Sequence, residues 1–251
     1  MHQQQEQEQE QEQGQDPLFV TIDVPKLNLQ TMCKHPSCFI IGGTDEQRMT
    51  LIRNLLYSTR DIPCGILVDT SSRSSRKDGI FPNELIYDDI GCLNDAFKRQ
   101  RKMCKRKQSD DDRMHVVILN DDPYADVDYR KTPEIIKLLM NGQCYKMFAI
   151  IAFKYPVSIS PSLYANVDYK FVFNEPNPIF REQIWKNYFP KVPTYDAFST
   201  LMDGISNDGS CMVSSFSFDT TKSFGIQHYN PFSDPSKDTP TPFQLYDNDE
   251  V

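Results

Sequence analysis

The sequence predicts an α/β protein built on a mostly parallel sheet, and three features carry that expectation. The runs 38–43 (CFIIGG), 115–119 (HVVIL) and 147–153 (MFAIIAF) are apolar apart from His115, so both faces of each strand need cover. Between such runs lie stretches with apolar residues three and four apart, the spacing of a helix packed along one side. Strands and helices alternate, which places helices over both faces of a parallel sheet. In such sheets ligands sit beyond the carboxyl ends of the strands.

Taken in order, Leu18–Asp23 reads as a short apolar strand, and Cys38–Gly43 as a buried strand ending in glycines. Asp45–Tyr57 is helical, with Met49, Leu51, Ile52, Leu55 and Leu56 on its packed side. Gly65–Val68 is a strand. Leu93–Lys107 is a helix with Leu93, Ala96, Phe97 and Met103 on one side. His115–Leu119 is a strand. Pro133–Asn141 is a helix that stops at Gly142, a residue type suited to a left-handed helix end. Met147–Phe153 and Tyr169–Phe173 are strands, and Pro178–Phe189 and Thr194–Met202 are helices. Cys211–Phe218 is a late strand with a hairpin partner around Phe224–Tyr229.

The ends differ in kind. Residues 1–16 are almost entirely Gln and Glu and have too little apolar surface to pack, so they are expected to form a solvated tail. Residues 231–251 hold four prolines and several acids and read as an irregular tail, although Phe243, Leu245 and Tyr246 could dock. The domain proper is then 17–230. A net charge of −8 excludes a generic polyanion binder, so any nucleic-acid contact needs a local basic patch. Seven cysteines, an odd number, suit reduced thiols of an intracellular compartment. No run approaches the roughly 18 apolar residues of a membrane span.

Several segments together resemble the genome-packaging ATPases of large nucleo-cytoplasmic DNA viruses, FtsK/HerA-type P-loop NTPases. His35-Pro36-Ser37 leads into the CFIIGG strand as it does there. Asn141-Gly142 with Tyr145-Lys146 is similar to that family's Asn-Gly-Arg-His-Tyr segment. Tyr155-Pro156, Ile159, Pro161, Leu163, Asn166, Asp168 and Tyr169 are similar to its Gln-Tyr-Pro…Ile-Pro-Pro-x-Leu-Arg-x-Asn-x-Asp-Tyr segment. The resemblance runs from about 33 to 230. It implies a P-loop NTPase-like three-layer sandwich, ATP-driven movement of viral DNA, a ring of subunits, and a place in the host cytoplasm or the virion.

The phosphate loop departs from the pattern. A Walker A loop, G-x-x-x-x-G-K-[ST], wraps backbone N–H groups around phosphate, bridges it with Lys and holds magnesium with the hydroxyl. The matching stretch runs from Gly42 and Gly43 through Thr44 to Arg48 and Met49. The second Gly is Gln47, the Lys is Arg48 and the hydroxyl is Met49, which cannot ligate a hard cation. Asp45 and Glu46 put like charge where a triphosphate belongs, and at ~4 Å such repulsion is roughly 4 kcal/mol at an effective dielectric near 20. Thr44-x-x-Gln47 instead has the form of a capping box. Its acids favour the positive end of the helix dipole.

Asp121 and Asp122, after strand 115–119, resemble Walker B carboxylates, which in an active enzyme orient magnesium and the attacking water; alternatively they cap a turn before Pro123. The polar sensor expected before Tyr-Pro is Lys154, which donates but cannot accept. The arginine expected after Pro-x-Leu is Tyr164, which cannot replace a bidentate guanidinium. Lys98, Arg99, Arg101, Lys102, Lys105, Arg106 and Lys107 concentrate positive charge on one helix. They suit either DNA contact or a solvated face balanced by Asp110–Asp112. Cys33-x-His35-x-x-Cys38 lacks a second half-site, so no metal site is expected.

The leading expectation is a catalytically degenerate paralogue acting as a structural or interaction subunit, with no cofactor, in a homo- or hetero-oligomer with an active packaging ATPase. Two others stay open. One is an active motor using ATP and Mg with Arg48 in place of the Lys. The other is a DNA-binding module using 98–107.

Overall fold

The computed structural model describes residues 24–70, 81–105, 113–120, 132–156, 160–206, 208–218 and 223–233. Eight strands form one sheet: β1 (Ser37–Ile41), β2 (Gly65–Asp69), β3 (Ile86–Tyr87), β4 (Met114–Asn120), β5 (Met147–Phe153), β6 (Tyr169–Val172), β7 (Cys211–Ser215) and β8 (Ile226–Tyr229). Their order is β3-β2-β4-β5-β1-β6-β7-β8. The first six are parallel to their neighbours, and β7 and β8 are antiparallel. Every residue of β1, β2 and β5 is buried. Because successive side chains point to opposite faces, this means cover on both sides. The helices are α1 (Asp45–Ser58), α2 (Leu93–Lys105), α3 (Pro133–Asn141), α4 (Pro161–Tyr164), α5 (Pro178–Tyr188) and α6 (Tyr195–Ser206).

The expected strands and helices form within one to four residues of their predicted bounds wherever the described residues cover them. The strand read at Leu18–Asp23 lies outside those residues. β3 and α4 are too short to show a period and were not expected. β1 ends at Ile41, so Gly42 and Gly43 belong to the turn rather than the strand.

Two local readings are corrected. Gly142 keeps a right-handed helical conformation (φ −53°), and the left-handed residue is Lys146 (φ 56°), four positions on. Gly142 is needed for closeness instead: a Cβ there would meet the Leu138 carbonyl oxygen at 2.5 Å. On α2 the buried side consists of Leu93, Ala96, Phe97 and Gln100, with Met103 only half-buried. Gln100 is tolerated because its side-chain amide donates to the Tyr145 carbonyl at 2.8 Å, which meets the rule that buried polar groups be paired. Tyr188 is buried, and half-buried Trp185 donates its indole N–H to the Val192 carbonyl at 2.9 Å. Both belong to the packing.

Candidate functional site

The carboxyl ends of β1, β4 and β5 lie side by side, with Ile41 opposite Phe153 and Phe153 opposite Asn120. The turn after β1 is tied to this edge: the Gly42 N–H donates to the Phe153 carbonyl at 2.9 Å. Gly42 and Gly43 both have positive φ, 72° and 73°. A Cβ on Gly43 would also stand 2.8 Å from the ring of buried Phe173. Conformation and contact therefore both select glycine here.

From Gly43 the chain enters α1 almost at once. Only Gly42, Gly43 and Thr44 separate β1 from the first helical residue, Asp45. The capping box forms in full: the Gln47 N–H donates to Thr44 Oγ1 at 3.2 Å, and the Thr44 N–H donates to Gln47 Oε1 at 2.8 Å. The Arg48 N–H already donates to the Thr44 carbonyl at 3.0 Å, as an ordinary helical bond. Three amide groups of the stretch that would wrap a phosphate thus donate within the protein.

Arg48 completes the arrangement. It is 1% exposed, the largest fully buried side chain of the protein among the described residues. One guanidinium nitrogen donates to the Gly42 carbonyl at 3.2 Å and the Gly43 carbonyl at 2.6 Å; the other reaches Asp45 Oδ1 at 2.5 Å. The turn therefore presents carbonyl oxygens, the negative ends of its peptide dipoles, to a resident cation. A phosphate site needs the reverse polarity, with N–H groups facing inward. Met49 is half-buried and packs against the apolar core.

The remaining candidates are dispersed. Lys154 directly follows Phe153, beside the loop, with its ammonium 5.7 Å from the Tyr155 ring centre. Asp69 ends β2 on the same edge and is buried; its position at the end of GILVD was the only sequence signal for it. Asp121 and Asp122 follow β4 and lie outside the described residues, as do Arg106 and Lys107. Tyr164 is elsewhere. It sits on α4, its hydroxyl donating to the Tyr188 carbonyl at 2.9 Å, near the start of β6. The start of β6 pairs with the start of β1, Tyr169 opposite Cys38, and the loop follows the other end.

The middle of the basic helix meets the end of β5 opposite the loop. Gln100, in the middle of α2, contacts Tyr145, just before β5 begins. Lys98, Arg101, Lys102 and Lys105 are exposed and Arg99 is half-buried. Lys98 pairs with Asp95 at 2.8 Å, and Arg99 donates to the Gln100 side chain. All seven cysteines are free. Cys38 is fully buried, which pushes its thiol well above the usual range. Among the described residues no group of three or more His, Cys, Asp or Glu could hold a metal ion. Nor is any of their helices long and apolar enough to cross a membrane.

A mostly parallel sheet with glycines turning from a central strand into a capped helix is an α/β fold of the P-loop NTPase kind, and it is shared with solved viral genome-packaging NTPases. The genome packaging NTPase B204 from Sulfolobus turreted icosahedral virus 2, solved in complex with AMP, superposes with a TM-score of 0.56. It is 14% identical, over 80% of this chain and 99% of that one. By sequence the chain is similar to uncharacterized proteins of large DNA viruses. One, from Acanthamoeba polyphaga mimivirus, is 24% identical over 200 residues, 76% of this chain and 70% of the relative. Another, from Invertebrate iridescent virus 3, is 29% identical over 174 residues, 68% of this chain and 65% of the relative. The chain thus spans somewhat under two thirds of the second relative's length. No family model matches the chain.

Proposed function

We propose that this chain is a packaging-ATPase-like protein that does not turn over ATP. It serves as a structural or interaction subunit of a viral packaging assembly, alongside an active paralogue. The observation that carries this reading is Arg48, buried and donating to the Gly42 and Gly43 carbonyls, where a phosphate-binding loop would turn N–H groups inward. The alternative motor, with Arg48 replacing the Lys, has to break three hydrogen bonds of a buried guanidinium before it gains a phosphate. It still lacks an oxygen ligand for magnesium at Met49. The fold shared with solved genome-packaging NTPases supports a role in virus assembly, and relatives from large DNA viruses support a place in the host cytoplasm or the virion. Calorimetric titration with Mg-ATP is expected to give no saturable heat, and Mg-dependent ATP hydrolysis no rate above background. Tight Mg-ATP binding lost in Arg48→Ala, or hydrolysis abolished by Asp121→Asn, overturns the proposal in favour of the motor.

A second reading, contact with DNA, rests on the exposed Lys98, Arg101, Lys102 and Lys105 of α2. It predicts DNA affinity that falls steeply with salt, the slope scaling with the number of phosphates neutralised. Reversing those four charges to Glu is expected to weaken binding more than tenfold at roughly 50 mM salt. An unchanged isotherm in a fluorescence-anisotropy titration removes this reading without touching the first.

A further inference from the structure

Lys170 lies in β6, inside the sheet, and is 1% exposed. Its ammonium stands 4.4 Å from the ring centre of Tyr164 and 4.2 Å from that of Phe216. Among the described residues no carboxylate forms an ion pair with it. Asp168 acts on it only through space, its carboxylate accepting from the Ser37 N–H and hydroxyl at 2.8 and 2.9 Å. Burial pushes the amine down to about 8, which leaves it largely charged near neutrality. Two ring faces stabilise such a cation, but a buried charge without a counter-ion remains costly.

A cavity of about 70 Å³ opens beside this ammonium, bounded among others by Tyr164, Lys170, Tyr188, Lys191, Ser214 and Phe216. Its lining joins aromatic faces to two lysines, and Phe216, at its rim, is 55% exposed. The matching ligand is a carboxylate carried by a polypeptide beside an aromatic or aliphatic side chain. The volume admits one carboxyl-bearing side chain rather than a nucleotide.

We propose that the occupant is the chain's own segment 243–250, with an apolar side chain against Tyr164 and Phe216 and an acid from Asp247, Asp249 or Glu250 on Lys170. Three facts favour this segment. It places Phe243, Leu245 and Tyr246 directly before those acids, the combination the cavity asks for. The tether also reaches. β8 begins at Ile226 in the cavity wall and ends at Tyr229. The described chain leaves at Ser233, whose hydroxyl accepts from Lys26 Nζ at 3.5 Å. That exit is a few strand residues from the cavity, whereas the ten residues from 233 to 243 extend to about 33 Å. Finally, attachment sets an effective concentration on the order of millimolar, ahead of free carboxylates.

The test is chymotryptic cleavage after Phe243 and Tyr246 in the full chain, followed by mass spectrometry. Lys170→Met keeps the buried stem and removes the charge. Phe216→Ser opens the exposed rim without touching the core. Each is expected to speed cleavage at least tenfold. A segment with Asp247→Asn, Asp249→Asn and Glu250→Gln together is expected to lose the same protection, and to lose no more in the Lys170→Met background. Equal cleavage of the native chain and both single variants overturns the proposal. Protection that disappears on dilution also overturns it, by placing the segment in the cavity of a second copy.

Discussion

Arg48→Ala is expected to lower the free energy of unfolding by about 2–5 kcal/mol, the combined cost of leaving buried carbonyls without a donor and of the cavity left by a large buried side chain. The Gly42 and Gly43 carbonyls lose their donor, and the space left by the largest buried side chain cannot be filled by helix α1, which the capping box anchors at Thr44. Arg48→Lys is expected to recover only part of the loss, because an ammonium is a point charge and cannot serve both carbonyls and Asp45 as a fork does. Urea titration measures both. An arginine held ready for nucleotide would behave oppositely: its removal would cost nucleotide affinity and leave the stability of the unliganded protein nearly unchanged. An Arg48→Ala protein within about 0.5 kcal/mol of the native one, the usual range for a surface substitution, would refute the structural assignment of this arginine.

Acidification is the second large effect. His115, at the start of β4, is fully buried, its Nε2 2.8 Å from Thr59 Oγ1 and its ring against Phe148. Burial depresses its pKa from 6.5 to about 3; Asp61 opposes the shift, while Arg113 and His35 add to it. Part of the Asp61 charge is already engaged by Arg113, at 2.6 Å. The folded state therefore prefers neutral His115. The stabilisation is complete above about pH 6.5 and is lost as the pH falls from there towards 3, because the unfolded chain then binds the extra proton. One pKa unit is about 1.4 kcal/mol, so roughly 3 kcal/mol is gone by pH 4. His115→Gln retains a partner for Thr59 and removes the titration. Its unfolding midpoint between pH 4 and 6.5 is expected to vary much less than that of the native protein. Parallel curves would show that other groups set the acid response.

The candidate site was legible in the sequence only where its logic is local. Thr44 and Gln47 meet three positions apart on a helix start, so their capping box could be read from spacing. Arg48 could not be read in the same way. The sequence admitted it as a stand-in for a phosphate-binding lysine, and only the folded turn, with two positive-φ glycines aiming their carbonyls inward, makes it an internal ligand. Spacing along α2 gave Gln100 no role, because its partner, the Tyr145 carbonyl, comes from a segment 45 positions away. Gly142 carried a true signal with the wrong cause: its hydrogen is needed for a close carbonyl and not for a left-handed turn.

What the sequence by itself determined is the α/β class, the buried strands and the start of α1, because period, apolar runs and caps act between near neighbours along the chain. Tertiary structure alone decided the polarity of the loop after β1 and the burial of Arg48. It also decided the Lys170 cage, where a strand lysine meets rings from α4 and from the residue following β7. The physical reason is that a charge's role depends on which dipoles and rings surround it, and those arrive from distant parts of the chain.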